Sequence, residues 1–221
     1  MRQAGFAYAQ ARMQARFAAR PEPAEWQMIE TGRDLAQALD AAKRTGLAPF
    51  VARLGQGSSR AEIEAGLRAA WAEQVAEVVR WVPPKWRAAL GWLTLLPHLG
   101  LADAEMPLAL PGGAALSREI EAGAAPGAAW QAGLAARQPR GGAATLEPLA
   151  PLFAAYLEGP PRALAERRRL AGQLERLLRA RATQPAAAFA FLGLVALDLE
   201  RLRGALLLAR LFAVTGEGEA A

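Results

Sequence analysis

The chain has 221 residues, a formal charge of +5 and a pI near 10.6, so it can bury most of its apolar surface without covalent staples. It contains no Cys, which removes disulfides, thiolate metal sites and cysteine nucleophiles together and leaves a reducing cytosol as the expected compartment. Alanine, leucine and arginine dominate while β-branched residues are scarce, so helix formers hold most positions and strands are not expected.

Phe6, Met13 and Phe17 recur at helical spacing opposite Arg12, Arg16 and Arg20, which predicts a first helix over 3–19 with one packed and one basic side. The early arginines (Arg2, Arg12, Arg16, Arg20) without acids resemble a transit peptide, but no Ser or Thr precedes Thr31, and no apolar run of the secretory kind follows. Pro21 stops this helix and Pro23 opens a short second one through Ile29. Asp34 is placed to cap a third helix carrying Leu35, Ala38, Leu39 and Ala42, with Gly46 expected to end it in the left-handed conformation.

Ser59 followed by Glu62 reads as a capping box. The long helix behind it has the apolar stripe Ile63, Leu67, Trp71, Val75, Val78 and Val82, with Glu64–Arg68 and Glu77–Arg80 on its polar side. Pro83-Pro84 breaks it, and a tryptophan-rich helix from Trp86 to Leu96 follows. Between 101 and 144, Pro107, Pro111, Pro126 and Pro139, most beside glycines, punctuate alanine-rich pieces, with short helices expected near 116–122 and 128–136. This divides the chain into an N-terminal helical module over 1–100, a connecting segment over 101–144 and a C-terminal helical module over 145–221.

In the last module, helices are expected to Leu157, over 161–182, and from Pro185 to Gly216. The final helix has a heptad seam of Ala188, Leu192, Val195, Leu199, Leu202, Leu206, Ala209 and Ala213, which wants a helical partner. Its apolar run Ala186 to Leu197 is too short to span a membrane, and each of the charges that follow costs roughly 2.5–3.5 kcal/mol near a bilayer centre. The expected fold class is therefore all-α, a multi-helix bundle or funnel of antiparallel helices, with two modules joined by the Gly/Pro-rich segment.

No catalytic, cofactor or metal site can be assembled from these residues. His98 is the single histidine, serine occurs only at Ser58, Ser59 and Ser117, and no nucleophile elbow surrounds Ser117, although Asp103 could supply an acid. His98 reads as a cap or a packed ring, and the acids carry no metal-loop spacing. The glycines of Leu54-Gly55-Gln56-Gly57 lack the Lys and hydroxyl of a phosphate loop. Trp71, Trp81, Trp86 and Trp92 read as core. The stretch 162–181 holds seven arginines against Glu166 and Glu175. Without interleaved aromatics to stack on bases it reads as a solvated face, part-paired through Glu166–Arg169 and Glu175–Arg179, and nucleic acid is disfavoured.

Three stretches carry a family resemblance. Tyr8-Ala9-Gln10-Ala11-Arg12-Met13-Gln14-Ala15-Arg16, with Asp34 to Leu39 and Gly46 to Phe50, forms the first; Ile63-Glu64 through Val78 to Pro83 forms the second; Asp198-Leu199-Glu200-Arg201-Leu202-Arg203 forms the third. Together they resemble the C-type and d-type connector proteins that cap the central rotor of A-type and V-type ATPases. The chain departs from that family at Glu200 and Arg201, lacks its signature between Trp92 and His98, and is shorter than its typical members. The resemblance implies a non-catalytic socket of helices that couples the rotor shaft to the membrane ring of proteolipid subunits. It also implies a cytoplasmic location, peripheral to a membrane through the complex, with no cofactor and no small-molecule substrate. Arg12, Arg16, Asp198 and Arg203 are then the candidates for lining the partner interface or for internal ion pairs. The competing expectation is a generic helical adaptor or scaffold, including a homodimer through the C-terminal seam.

Overall fold

The computed structural model describes residues 4–99, 110–157 and 164–218. Arg2, Asp103, Pro107 and Arg162 lie outside the described residues. Every regular element among the described residues is helical. In chain order they are α1 (Ala4–Ala18), α2 (Pro23–Glu30), α3 (Leu35–Lys43), α4 (Ala48–Val51), α5 (Arg60–Trp81), α6 (Pro84–Gly91), α7 (Gly113–Glu121), α8 (Pro126–Ala136), α9 (Ala143–Leu146), α10 (Ala150–Leu157), α11 (Leu164–Ala180) and α12 (Ala186–Gly218). Single 3-10 stretches cover Trp92–His98 and Glu147–Leu149. The fold is thus the all-α, multi-helix arrangement that composition and periodicity call for.

Local signals account for most helix starts. Asp34 accepts a hydrogen bond from the Gln37 amide at 2.8 Å, and Pro23, Pro84 and Pro126 sit in first turns, where a missing N–H costs nothing. At α5 the Ser59 amide donates to the Glu62 carboxylate at 2.7 Å while the Glu62 amide donates to the Ser59 hydroxyl at 3.2 Å. These bonds hold the Glu62 carboxyl below its ordinary value, the contact with the Ser59 amide being the largest cause. A depressed folded-state value means that this contribution to stability is present above the unfolded value of 4.5 and is lost as pH falls through the folded one. Glu62→Gln is therefore expected to destabilise the chain at pH 7 and to approach the parent in stability near pH 3. Urea unfolding at the two pH values checks this, and a gap that widens in acid would refute it.

Two helix ends differ from expectation. Gly46 does not take the left-handed conformation, since positive φ among the described residues is confined to Gly112, Gly123 and Gly141. Close approach is what requires glycine there. Its amide donates to the Ala19 carbonyl at 3.0 Å, and a Cβ would stand 2.2 Å from that oxygen. The tryptophan-rich helix stops being α at Gly91 and continues as the 3-10 stretch Trp92–His98, with Pro97 inside its last turn. At the other end α12 passes through Gly216 to Gly218, since Gly216 stays in the right-handed conformation and a lone glycine there costs only about 1 kcal/mol.

Contacts gather the chain into two compact units, each built from non-contiguous stretches: 1–13 with 74–196, and 14–73 with 197–221. In the first unit, α7 packs on α8, and α10 packs on both α8 and α11. Trp92 is the pin of this unit. It is 2% exposed, and its indole N–H donates to the Trp130 carbonyl at 2.8 Å. The Arg137 guanidinium lies 3.6 Å from its ring centre, where burial pulls the guanidinium pKa down. Trp130 in turn leans on Phe153 with ring centres 5.4 Å apart, and Trp86 meets Phe189 edge-on at 6.1 Å. In the second unit α3 packs on α2 and α4, and Trp26, Ile29, Leu35, Leu39, Leu202 and Leu206 are buried.

From Ala188 to Ala209 the heptad seam of α12 is not a surface. Leu192, Leu202 and Leu206 are fully buried and Leu199 nearly so, because the chain covers this helix with its own residues. From Ala186 to Leu197 α12 is buried on nearly every side, as an all-round apolar stretch must be. No described helix is long and apolar enough to cross a membrane.

Candidate functional site

A group of directed polar contacts lies in the second unit, on the stretch of α12 from Asp198 to Arg203. At about 100° per residue, Asp198 falls on the same side as Leu199, Leu202 and Leu206, while Arg201 and Arg203 stand at the two edges of that buried side. The three charges therefore point in three directions. Arg20, just past the end of α1, grips Asp198 in a two-pronged pair, Nε to Oδ2 at 2.6 Å and Nη2 to Oδ1 at 2.9 Å. Arg201 grips Glu30 at the end of α2 in the same way, at 2.6 and 2.8 Å, with its guanidinium 4.3 Å from the Trp26 ring centre. Arg203 reaches Glu64 of α5 with Nε at 2.7 Å and with Nη2 as well.

Burial sets the weight of each tie. The Asp198 side chain is 9% exposed and that of Arg20 20%, so this pair is largely desolvated, whereas Glu30 and Arg201 are 39% and 27% exposed. Glu64, 13% exposed, also accepts from Arg68 at 3.3 Å. The bond to Glu64 is the largest influence on Arg203 and raises its pKa. Two-pronged guanidinium–carboxylate pairs fix geometry as well as adding energy. The arrangement is a clamp that ties α1, α2 and α5 to one turn of α12. It supplies no nucleophile and no relay.

Of the four residues singled out from sequence, Asp198 and Arg203 belong to this clamp and are engaged within the chain. Arg12 lies in the first unit, where its guanidinium is 3.8 Å from Glu77 and 5.2 and 5.7 Å from the Tyr8 and Trp81 ring centres. Glu77 thus faces Arg12 of α1. Arg16 is half-buried in the second unit. Arg20, Glu30, Glu64 and Arg201 complete the clamp and were not singled out. Arg20 and Glu30 each stand at a helix end beside a Pro or Gly turn, and Arg20 also fell on the basic side expected of the first helix.

An open groove of about 530 Å³ lies near the Arg20 side of the same unit, lined by Arg20, Glu22, Glu25, Arg44, Thr45 and Gly46. The Glu25 carboxylate there caps α2 by accepting the Glu22 amide at 2.8 Å, and the Thr45 hydroxyl donates to the Ala42 carbonyl. No group of three His, Asp or Glu residues able to hold a metal occurs among the described residues. His98 is a buried ring at the end of its 3-10 stretch. Compared with family models, curated proteins and solved structures, the chain matches none.

Proposed function

We propose that this chain is a non-catalytic connector in the central stalk of a V/A-type rotary ATPase, coupling the rotor shaft to the proteolipid ring. The observation that carries the reading is the coincidence of resemblance and mechanics. Asp198 to Arg203 resembles the late-helix motif of that family, and three of the same six residues fasten α2, α5 and the turn after α1 to α12. A part that transmits torque needs stiff, geometrically fixed ties rather than mobile catalytic groups, and paired forks of this kind provide them. Partners are then protein subunits, and contact with the membrane comes through the complex.

A second reading, a helical adaptor in another assembly, is favoured by Leu208 and Leu211, which are 55% and 59% exposed three residues apart on α12. A tagged chain purified from gently solubilised native membranes decides between them. Stoichiometric shaft and ring proteins are the expected result. Recovery of the free chain, or of other partners, from cells that contain the ATPase would overturn the connector reading.

A further inference from the structure

The outer side of α11 carries charge that the chain does not use. Leu170, Leu174 and Leu178 are buried on its inner side. At about 100° per residue, Arg168, Arg169, Arg176 and Arg179 all fall within an arc of about 100° on the opposite side, spread along about 16 Å of helix. Arg168, Arg169 and Arg176 are exposed and meet no acid among the described residues, so the local pair expected between Glu166 and Arg169 does not form. Arg179 differs, since it reaches Glu175 at 3.7 Å.

At the centre of this arc stands Gly172, with exposed Ala165 one heptad before it. Helix interiors disfavour glycine, and the glycines of this unit that face a neighbour have a packing reason. A Cβ at Gly133 would meet Trp92 at 2.2 Å and one at Gly193 would meet Leu174 at 3.1 Å. A Cβ at Gly172 meets nothing within 4 Å. Nothing inside the chain therefore calls for glycine at the one place where four arginines surround a strip without bulk.

We propose that this face of α11 is the seat of an acidic α-helix from a partner protein, whose backbone crosses close over Gly172 and Ala165 and whose carboxylates pair with Arg168, Arg169 and Arg176. The charge sets the sign of the partner. Arg169 and Arg176, one heptad apart, flank the strip on one side and Arg168 flanks it on the other, a placement that matches carboxylates on another helix, and the arc holds no aromatic side chain on which a base could stack. The inference does not depend on membership of a rotary ATPase.

The test uses the full chain and a fluorescent 21-residue helical peptide with glutamates on one face around a line of alanines, beside the same peptide carrying glutamine, a 20-base-pair duplex and phosphatidylserine vesicles. The glutamate peptide is expected to bind more tightly than the other three probes, with affinity falling as salt rises. Arg168→Gln/Arg169→Gln/Arg176→Gln is expected to weaken it about tenfold, the sum of small ion-pair losses. Gly172→Leu keeps every charge and is expected to weaken it at least as much by blocking close approach. Gly172→Ala is expected to raise the melting temperature of the free chain by about 2–4 °C, from helix propensity alone, which shows that the site tolerates a side chain when no partner is seated. Unchanged binding by Gly172→Leu, or tighter binding of duplex or vesicles than of peptide, would overturn the proposal.

Discussion

Asp198→Ala is expected to lower the unfolding free energy by about 3 kcal/mol or more, the usual loss when one member of a buried pair is removed. The carboxylate is 9% exposed and takes both prongs of Arg20, so its removal takes the two-pronged partner from a part-buried guanidinium and leaves a small void. Asp198→Asn keeps the shape and loses the charge, and falls between the parent and the alanine variant. Arg20→Met/Asp198→Leu is expected to recover much of the loss, because apolar groups of similar volume avoid the desolvation penalty that the pair carries. Urea midpoints at unchanged slope report these differences. A loss below about 1 kcal/mol for Asp198→Ala would assign the pair to the weak surface class and remove the clamp as a stiffening element.

The second large effect concerns Trp92, and it reverses what helix propensity says about its neighbour. Trp92→Ala is expected to cost about 3–5 kcal/mol, as truncation of a buried large ring does, and it also leaves the Trp130 carbonyl without the indole donor. Gly133→Ala lies inside α8, where propensity alone favours alanine by about 1 kcal/mol. The added Cβ would stand 2.2 Å from Trp92 Cζ2, however, and overpacking of that kind costs about 1–3 kcal/mol. Net destabilisation is expected, which contrasts with the gain at Gly172. In Trp92→Leu/Gly133→Ala the two losses are expected to be less than additive, since the smaller side chain vacates the space that the Cβ requires. Thermal unfolding of Trp92→Leu, Gly133→Ala and the double variant measures the coupling, and strict additivity would show that the ring and the glycine do not share the site.

What the sequence determined by itself was much of what depends on neighbours three or four residues away, though not the end of α12 at Gly216 or the Glu166–Arg169 pair. The Ser59–Glu62 box, the Asp34 cap, the proline starts and the stripe from Ile63 to Val82 all have causes within one or two helical turns, and the all-α class follows from them. The turn of α12 from Asp198 to Arg203 was also visible as a charged stretch, but its partners were not. Arg20 is 178 residues from Asp198 and Arg201 is 171 from Glu30, and no local rule selects one distant acid among 21. Tertiary structure decided those pairings. It also gathered contacts into two compact units of non-contiguous stretches, 1–13 with 74–196 and 14–73 with 197–221. Glycine shows the same limit in miniature: Gly46, Gly133 and Gly172 are one letter in the sequence, and only the packed chain sets a carbonyl against the first, an indole against the second and open space beside the third.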